Sequence, residues 1–314
     1  MTERKYSDPV LGEVTFRKSQ GSRRFSMRIH PVRGTCVSIP WMMTFADGMR
    51  FFMQKRDWAI AAAERQKEKS RAAVESGKAV GILHDGSTVR TLLSEIRFIR
   101  ERDRKHEAEK QPGAGADRNT GGQHKISLSI TEEIKEDIKV SGRLWLSPDR
   151  PVSVKTIHYP DNTPDEGTPG LSALLGKALA KVLRDEARSL LPVKLSFLAR
   201  HHGFEYKAVT VKHNSSNWGS CSGLGNINLN LNLVRLPEPV CDYVLLHELA
   251  HLEHHDHGRG FHALLETLCA DNCHRLAALG CPDAVRVLRR AIRSNSEFPV
   301  SRTLEQDIKT YRIF

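Results

Sequence analysis

His247, Glu248, His251 and His257 are the residues of this chain whose types and spacing could do chemistry. On an α-helix, His247 and His251 at i and i+4 share one face with Cβ atoms about 5–6 Å apart, a bite that suits one zinc ion. Glu248 leaves the helix about 100° round from His247, where it can hold a water beside the ion as a general base rather than complete the chelate. A catalytic zinc usually has three protein ligands and one open position. His257 is the expected third ligand, because it lies six residues past His251 and just before Gly258, where a helix would end and the chain could turn back. His254, His255, His262 and Glu266 stay open as alternatives. The first two would need the helix to run straight on, about 6 Å further along its axis, and Glu266 sits on the following helical stretch.

The elements that must position these groups can be read on either side. Pro237-Glu238-Pro239 is a helix start, since a proline in the first turn gives up an N–H that has no partner there. From it Val240, Tyr243, Val244, Leu246, Leu249, Ala250 and Leu252 supply an apolar face that would bury the helix against a sheet. Asn226 to Leu233 alternates strictly, apolar on one face and Asn on the other. That pattern predicts a strand looking into a wet cleft, with which an extended peptide could pair. Leu171–Leu191 reads as an amphipathic helix, with Pro192 beginning a second short one over Val193–Arg200. Nearer the N-terminus, Val14 and Phe16, then Phe25, Met27 and Ile29, then Val37 and Ile39 step by two, as in a sheet. A charged helical segment follows to about Val74, and Asp85-Gly86 predicts the turn of a hairpin within Gly81–Phe98. Strands are expected again over Ile126–Ile130 and Val140–Leu146.

Charge is uneven. Of a net charge of +11, residues 1–110 carry +9, with 23 Lys and Arg against 14 Asp and Glu. An acidic partner, nucleic acid included, would therefore meet the N-terminal third; a merely solvated basic face accounts for the charge equally well. The six cysteines form no Cys-x-x-Cys pair, which argues against a disulfide framework or a zinc ribbon. Cys269, Cys273 and His274 could form a second metal cluster, but cysteines at i and i+4 on an apolar helix face point more to core. No apolar run is long enough for a membrane span and Met1–Val10 holds no signal-peptide core, so a cytoplasmic protein is expected.

Several of these segments together resemble a known family. Asn217-Trp218-Gly219-Ser220-Cys221-Ser222, Asn226-Ile227-Asn228-Leu229-Asn230, Leu236-Pro237-Glu238, Asp242-Tyr243-Val244, His247-Glu248-Leu249-Ala250-His251-Leu252 and His257-Gly258-x-x-Phe261 are similar to the YgjP-like metallopeptidases. The relatives of that family include the SprT-like and WLM-type proteases of DNA–protein crosslink repair. The resemblance covers about residues 170–280 and, more loosely, about 12–75, through Val37-Ser38-Ile39-Pro40 and Lys55-x-x-Trp58-x-Ile60. It implies Zn²⁺ held by His247, His251 and His257, with Glu248 as catalytic acid/base. Asn217 stands where the family commonly has Arg, and His262 where an aromatic commonly follows Phe261. The ligand spacing equals that of metzincins, but His254 replaces their Gly and no Met follows Met53, so there is no Met-turn.

The fold class expected is α+β: a zincin-like catalytic domain, a mixed sheet with an active-site helix, preceded by a small β-rich region. The expected divisions are a basic β-rich region with a helix over 1–99, a linker or disordered insertion over 100–125, variable strands and loops over 126–168, a metallopeptidase domain over 169–290 and a tail over 291–314. The expected activity is zinc-dependent hydrolysis of a peptide or protein substrate, with Glu248 passing a proton from water to the leaving amine and Asp256 or Glu253 orienting a ligand His. His213, Tyr243 and His262 are candidates for stabilising the oxyanion. The alternative is a nucleic-acid-associated module with a structural metal site, or a protease recruited to DNA.

Overall fold

A computed structural model describes residues 3–30, 34–101, 127–136 and 145–314. The expected linker over 100–125 and the strand over Val140–Leu146 lie almost wholly outside the described residues. The chain divides into two compact units, Met1–Ser76 and Gly77–Phe314.

In the first unit, β1 (Glu3–Asp8), β2 (Gly12–Ser19), β3 (Ser26–His30) and β4 (Gly34–Pro40) form a mixed sheet of order β1-β2-β4-β3. The residues that step by two, Val14, Phe16, Val37 and Ile39, close a small core with Phe52. Phe52 belongs to α1 (Phe45–Gln54), whose start carries a reciprocal capping box between Thr44 and Asp47; α2 (Arg56–Glu75) follows. Buried Asp8 accepts hydrogen bonds from Arg56 and from the Val10 and Leu11 amides, tying α2 to the end of β1. β1 itself is mostly exposed and polar, so it carries no alternation to read.

The second unit starts earlier than the sequence suggests. β5 (Thr88–Arg90) and β6 (Ser94–Glu101) belong to it, because β6 pairs in parallel with β8 (Ser153–Pro160), which also holds β7 (Ser129–Ile134); the order is β5-β6-β8-β7. The boundary placed after residue 99 therefore moves to residue 76. Likewise β5 and β6 turn at Thr91–Leu93, and Asp85-Gly86 makes a separate turn before them, with Gly86 at φ 77°.

α3 (Pro169–His202) is one helix where two were expected, with Pro192 inside it. Thr168 caps its start by accepting from the Leu171 amide, and Gly203, at φ 76°, ends it. The apolar stripe Leu171, Leu175, Leu179, Leu183, Ala187, Leu191, Leu195 and Leu198 runs its whole length and is fully buried. Burial of that continuous face outweighs the one hydrogen bond that a proline removes. Buried Glu186 fastens α3 to the sheet by accepting from Thr91, Ser94 and Lys155.

Beyond α3, β9 (Ala208–Lys212), β10 (Gly219–Cys221) and β11 (Asn226–Asn230) form a third mixed sheet of order β10-β11-β9. The alternating stretch keeps its strand only to Asn230; Leu231–Arg235 is a 3-10 turn. Asn230 and Asn232 are fully buried, and Asn230 accepts from the Asn232 amide while donating to the carbonyls of Asn214 and Asn217. Asn230 thus holds the loop ahead of β10, and Asn232 accepts from Arg235 and the Phe314 amide, rather than either lining a cleft. α4 (Glu238–Ala250), α5 (Arg259–Ala278), α6 (Pro282–Ile292) and α7 (Pro299–Ile308) complete the unit. The expected tail includes α7, whose Val300, Leu304 and Ile308 are buried in the main core.

Candidate metal centre

α4 is buried along nearly its whole length, and a network of charged side chains fixes its start. Lys194 of α3 donates to Glu238 and lies 3.0 Å from Asp242, while Asn272 of α5 donates to the other Asp242 oxygen at 3.1 Å. Burial pushes the Glu238 carboxyl up, and the two carboxylates beside Lys194 hold its ammonium above the usual range. The helix ends at once after its work is done: Ala250 is its last residue and His251 its cap. The expectation that it runs on towards Gly258 is therefore corrected; Gly258 is the residue that opens α5.

The turn between these helices brings His257 back onto the α4 histidines. One nitrogen from each of His247, His251 and His257 lies within 4.8 Å of the other two, and the Nε2 atoms of His247 and His257 are 3.2 Å apart. Nitrogens bound at 2.0–2.1 Å to a tetrahedral ion stand about 3.3 Å apart, so the spacing fits a single ion. The tautomer of His251 follows from its partner. Its Nδ1 is 3.0 Å from the His254 carbonyl, which can only accept, so Nδ1 carries the proton and Nε2 offers its lone pair. The orienting partner is thus a backbone oxygen, where Asp256 or Glu253 was expected; Asp256 instead accepts from the Gly258 amide. Burial, with His251 and His257 close by, lowers His247 to about 4 and keeps it neutral, as a ligand must be.

Glu248 is 4 % exposed, and one of its carboxylate oxygens has no hydrogen-bond partner in the protein. Burial raises it to about 8, against which the Cys221 amide donates one hydrogen bond. β10 passes directly over it: a Cβ on Gly219 would stand 2.5 Å from Glu248 Oε1. Glycine is required here for the close approach of strand and carboxylate. Glu248 and all three histidines line a cleft of about 700 Å³, together with Trp218, Ser220, Tyr243 and His255.

Of the rival ligands, Glu266 is committed to the start of α7, accepting from Val300 and Ser301. His254 gives its carbonyl to His251, and His262 stacks on Phe298. His213, held by the Phe314 carbonyl, does not line the cleft, whereas Tyr243 does, its ring 5.9 Å from that of His247. Cys269 and Cys273 are buried core residues. The strand expected to receive a peptide, β11, is paired on both sides, with β10 and with β9. Sequence reasoning did not find α7 at the site, yet it supplies Ile308 to this cleft, and Ser301, Arg302 and Glu305 to an adjoining one of about 530 Å³ that shares Tyr243, His247 and His257. Its helical signal is ordinary; only packing brings it here.

The family model for the YgjP-like, metallopeptidase domain matches residues 168–279. The crystal structure of the metallopeptidase zymogen of Pyrococcus abyssi abylysin is similar at 25% identity over 24% of this chain and 77% of that one, with a TM-score of 0.23. No curated protein matches the chain.

Proposed function

We propose that the YgjP-like metallopeptidase domain of residues 168–279 is a zinc-dependent peptidase, zincin-like in its active-site helix, with His247, His251 and His257 as ligands and Glu248 as general base. The observation that carries this reading is the convergence of three imidazole nitrogens beside a buried carboxylate with an unpartnered oxygen, all on one open cleft. The donor set of three imidazoles suits zinc, which supplies a Lewis acid for the scissile carbonyl and acidifies water.

The chain's own residues do the rest. Glu248 takes a proton from the attacking water and delivers it to the leaving amine. Gly219 and the Cys221 amide hold the carboxylate at the wall of the cleft. Trp218 and Tyr243 line the same cleft. The test is metal content and hydrolysis of a denatured protein. Glu248→Gln keeps the cleft's ion and loses turnover, and His251→Ala loses turnover together with that one ion; full turnover by Glu248→Gln would overturn the assignment.

A second reading adds nucleic acid as a partner of residues 1–76, so that the protease is recruited to it. It rests on 15 Lys and Arg against 8 Asp and Glu in that unit, with Trp41 and Trp58 about half exposed and Lys18 5.8 Å from the Trp41 ring. Binding of single-stranded DNA that weakens steeply with salt supports it; salt-independent binding, or none, removes it. A purely structural metal is disfavoured, because such sites are closed by four protein ligands and this one opens on a cleft. Among the described residues no helix is long and apolar enough to cross a membrane.

A further inference from the structure

A second cluster of ligating side chains lies away from the cleft, where the end of α3 meets the middle of α5. One atom from each of His201, His202 and Asp271 lies within 4.8 Å of the other two. His201 Nε2 is 2.8 Å from Asp271 Oδ2, and His202 Nε2 is 3.9 Å from the same oxygen. The second distance is too long for a hydrogen bond, and His202 Nε2 is buried with no hydrogen-bond partner in the protein. A buried ring nitrogen without a partner needs an explanation. Ligands of one tetrahedral ion stand about 3.3 Å apart, a separation that these two distances bracket.

The surroundings hold the ligands in place. Phe197, one turn earlier on α3, stacks on His201 at 6.0 Å and 9°, fixing its plane. The two imidazoles meet edge to face, nearly perpendicular at 81° with centroids 4.7 Å apart. The Arg275 guanidinium lies over Phe197 and donates to Asn272.

We propose that His201, His202 and Asp271 bind a divalent transition-metal ion of the zinc class. None of the three lines the cleft of Glu248. The ion therefore fastens α3 to α5 rather than hydrolysing anything. This site is independent of the cleft histidines, since the two sets share no residue.

The test uses the full-length, metal-free protein, titrated with Zn²⁺ and, for its visible absorption, Co²⁺, with bound metal counted after equilibrium dialysis. Wild type takes up two ions per chain. His251→Ala and Asp271→Asn each take up one, and the double variant none. Zinc raises the melting temperature of His251→Ala, and Asp271→Asn in that background abolishes the rise. His201→Gln serves as a second variant, and zinc-free melting confirms that each folds. If His251→Ala binds no ion, or binds one that neither Asp271→Asn nor His201→Gln removes, the proposal is overturned and the pair is an ordinary ion pair. Failure of the cleft reading looks different: wild type then binds one ion, which Asp271→Asn removes and His251→Ala does not.

Discussion

The two histidine clusters of the C-terminal unit are alike in the spacing of their donors and unlike in what surrounds them. Each brings three ligand atoms within 4.8 Å of one another. At His247, His251 and His257 the donors sit on and beside a buried helix, with Glu248 next to them and an open cleft in front. At the end of α3 two of the three donors, His201 and Asp271, are exposed, and the carboxylate is itself a donor. Ligand spacing is enough to hold an ion. Hydrolysis also needs a desolvated base with nothing else to do, and a space where substrate meets it.

That contrast can be broken in several ways, of which replacing Glu248, the proposed base, has the largest effect. Glu248→Gln should lower kcat by about 10²–10⁴-fold with metal content unchanged, measured on a denatured protein substrate. Next comes the anchoring of α4. Lys194→Ala strands two buried carboxylates and should cost about 3–5 kcal/mol of unfolding free energy by urea titration; a loss below about 1 kcal/mol would mean that the network does not hold the helix. Gly219→Ala pushes Glu248 away from its place and should cost up to about 10²-fold in kcat while leaving the metal bound. The fourth effect depends on pH. Burial raises Glu248 from 4.5 to about 8, so the metal-free fold keeps this stabilisation at low pH and loses it as pH rises towards 8. The shifts of His247, His202 and His251 are all downward from 6.5 and act below that pH, His247 down to about 4. Between pH 6.5 and 8 the metal-free protein should therefore lose about 2 kcal/mol that Glu248→Gln does not lose. Equal slopes for the two would show that Glu248 is not desolvated.

Much of the site was legible because its strongest signals are local. His247 and His251 are helical neighbours by periodicity, Pro237 to Pro239 marks the helix start, and the β2, β3 and β4 residues alternate as strands do. Errors arose where a local rule met a distant partner. Pro192 reads as a helix boundary, yet the buried stripe of α3 carries the helix through it. The alternation of Asn226–Leu233 reads as a strand to its end, but Asn230 and Asn232 turn inward to bond the chain around them. Asp256 looked like an orienting carboxylate and serves the Gly258 turn instead.

By itself, then, the chain's order of residues determined which side chains can bind an ion and which can move a proton, since residue type and i, i+4 spacing are properties of a single helix. The tertiary structure alone decided that Gly219 lies against Glu248, that α7 walls the site and that His201 and His202 meet Asp271. The reason is physical: these contacts join residues whose relative positions follow from burying apolar faces of separate elements together, and no short-range periodicity encodes where such faces meet.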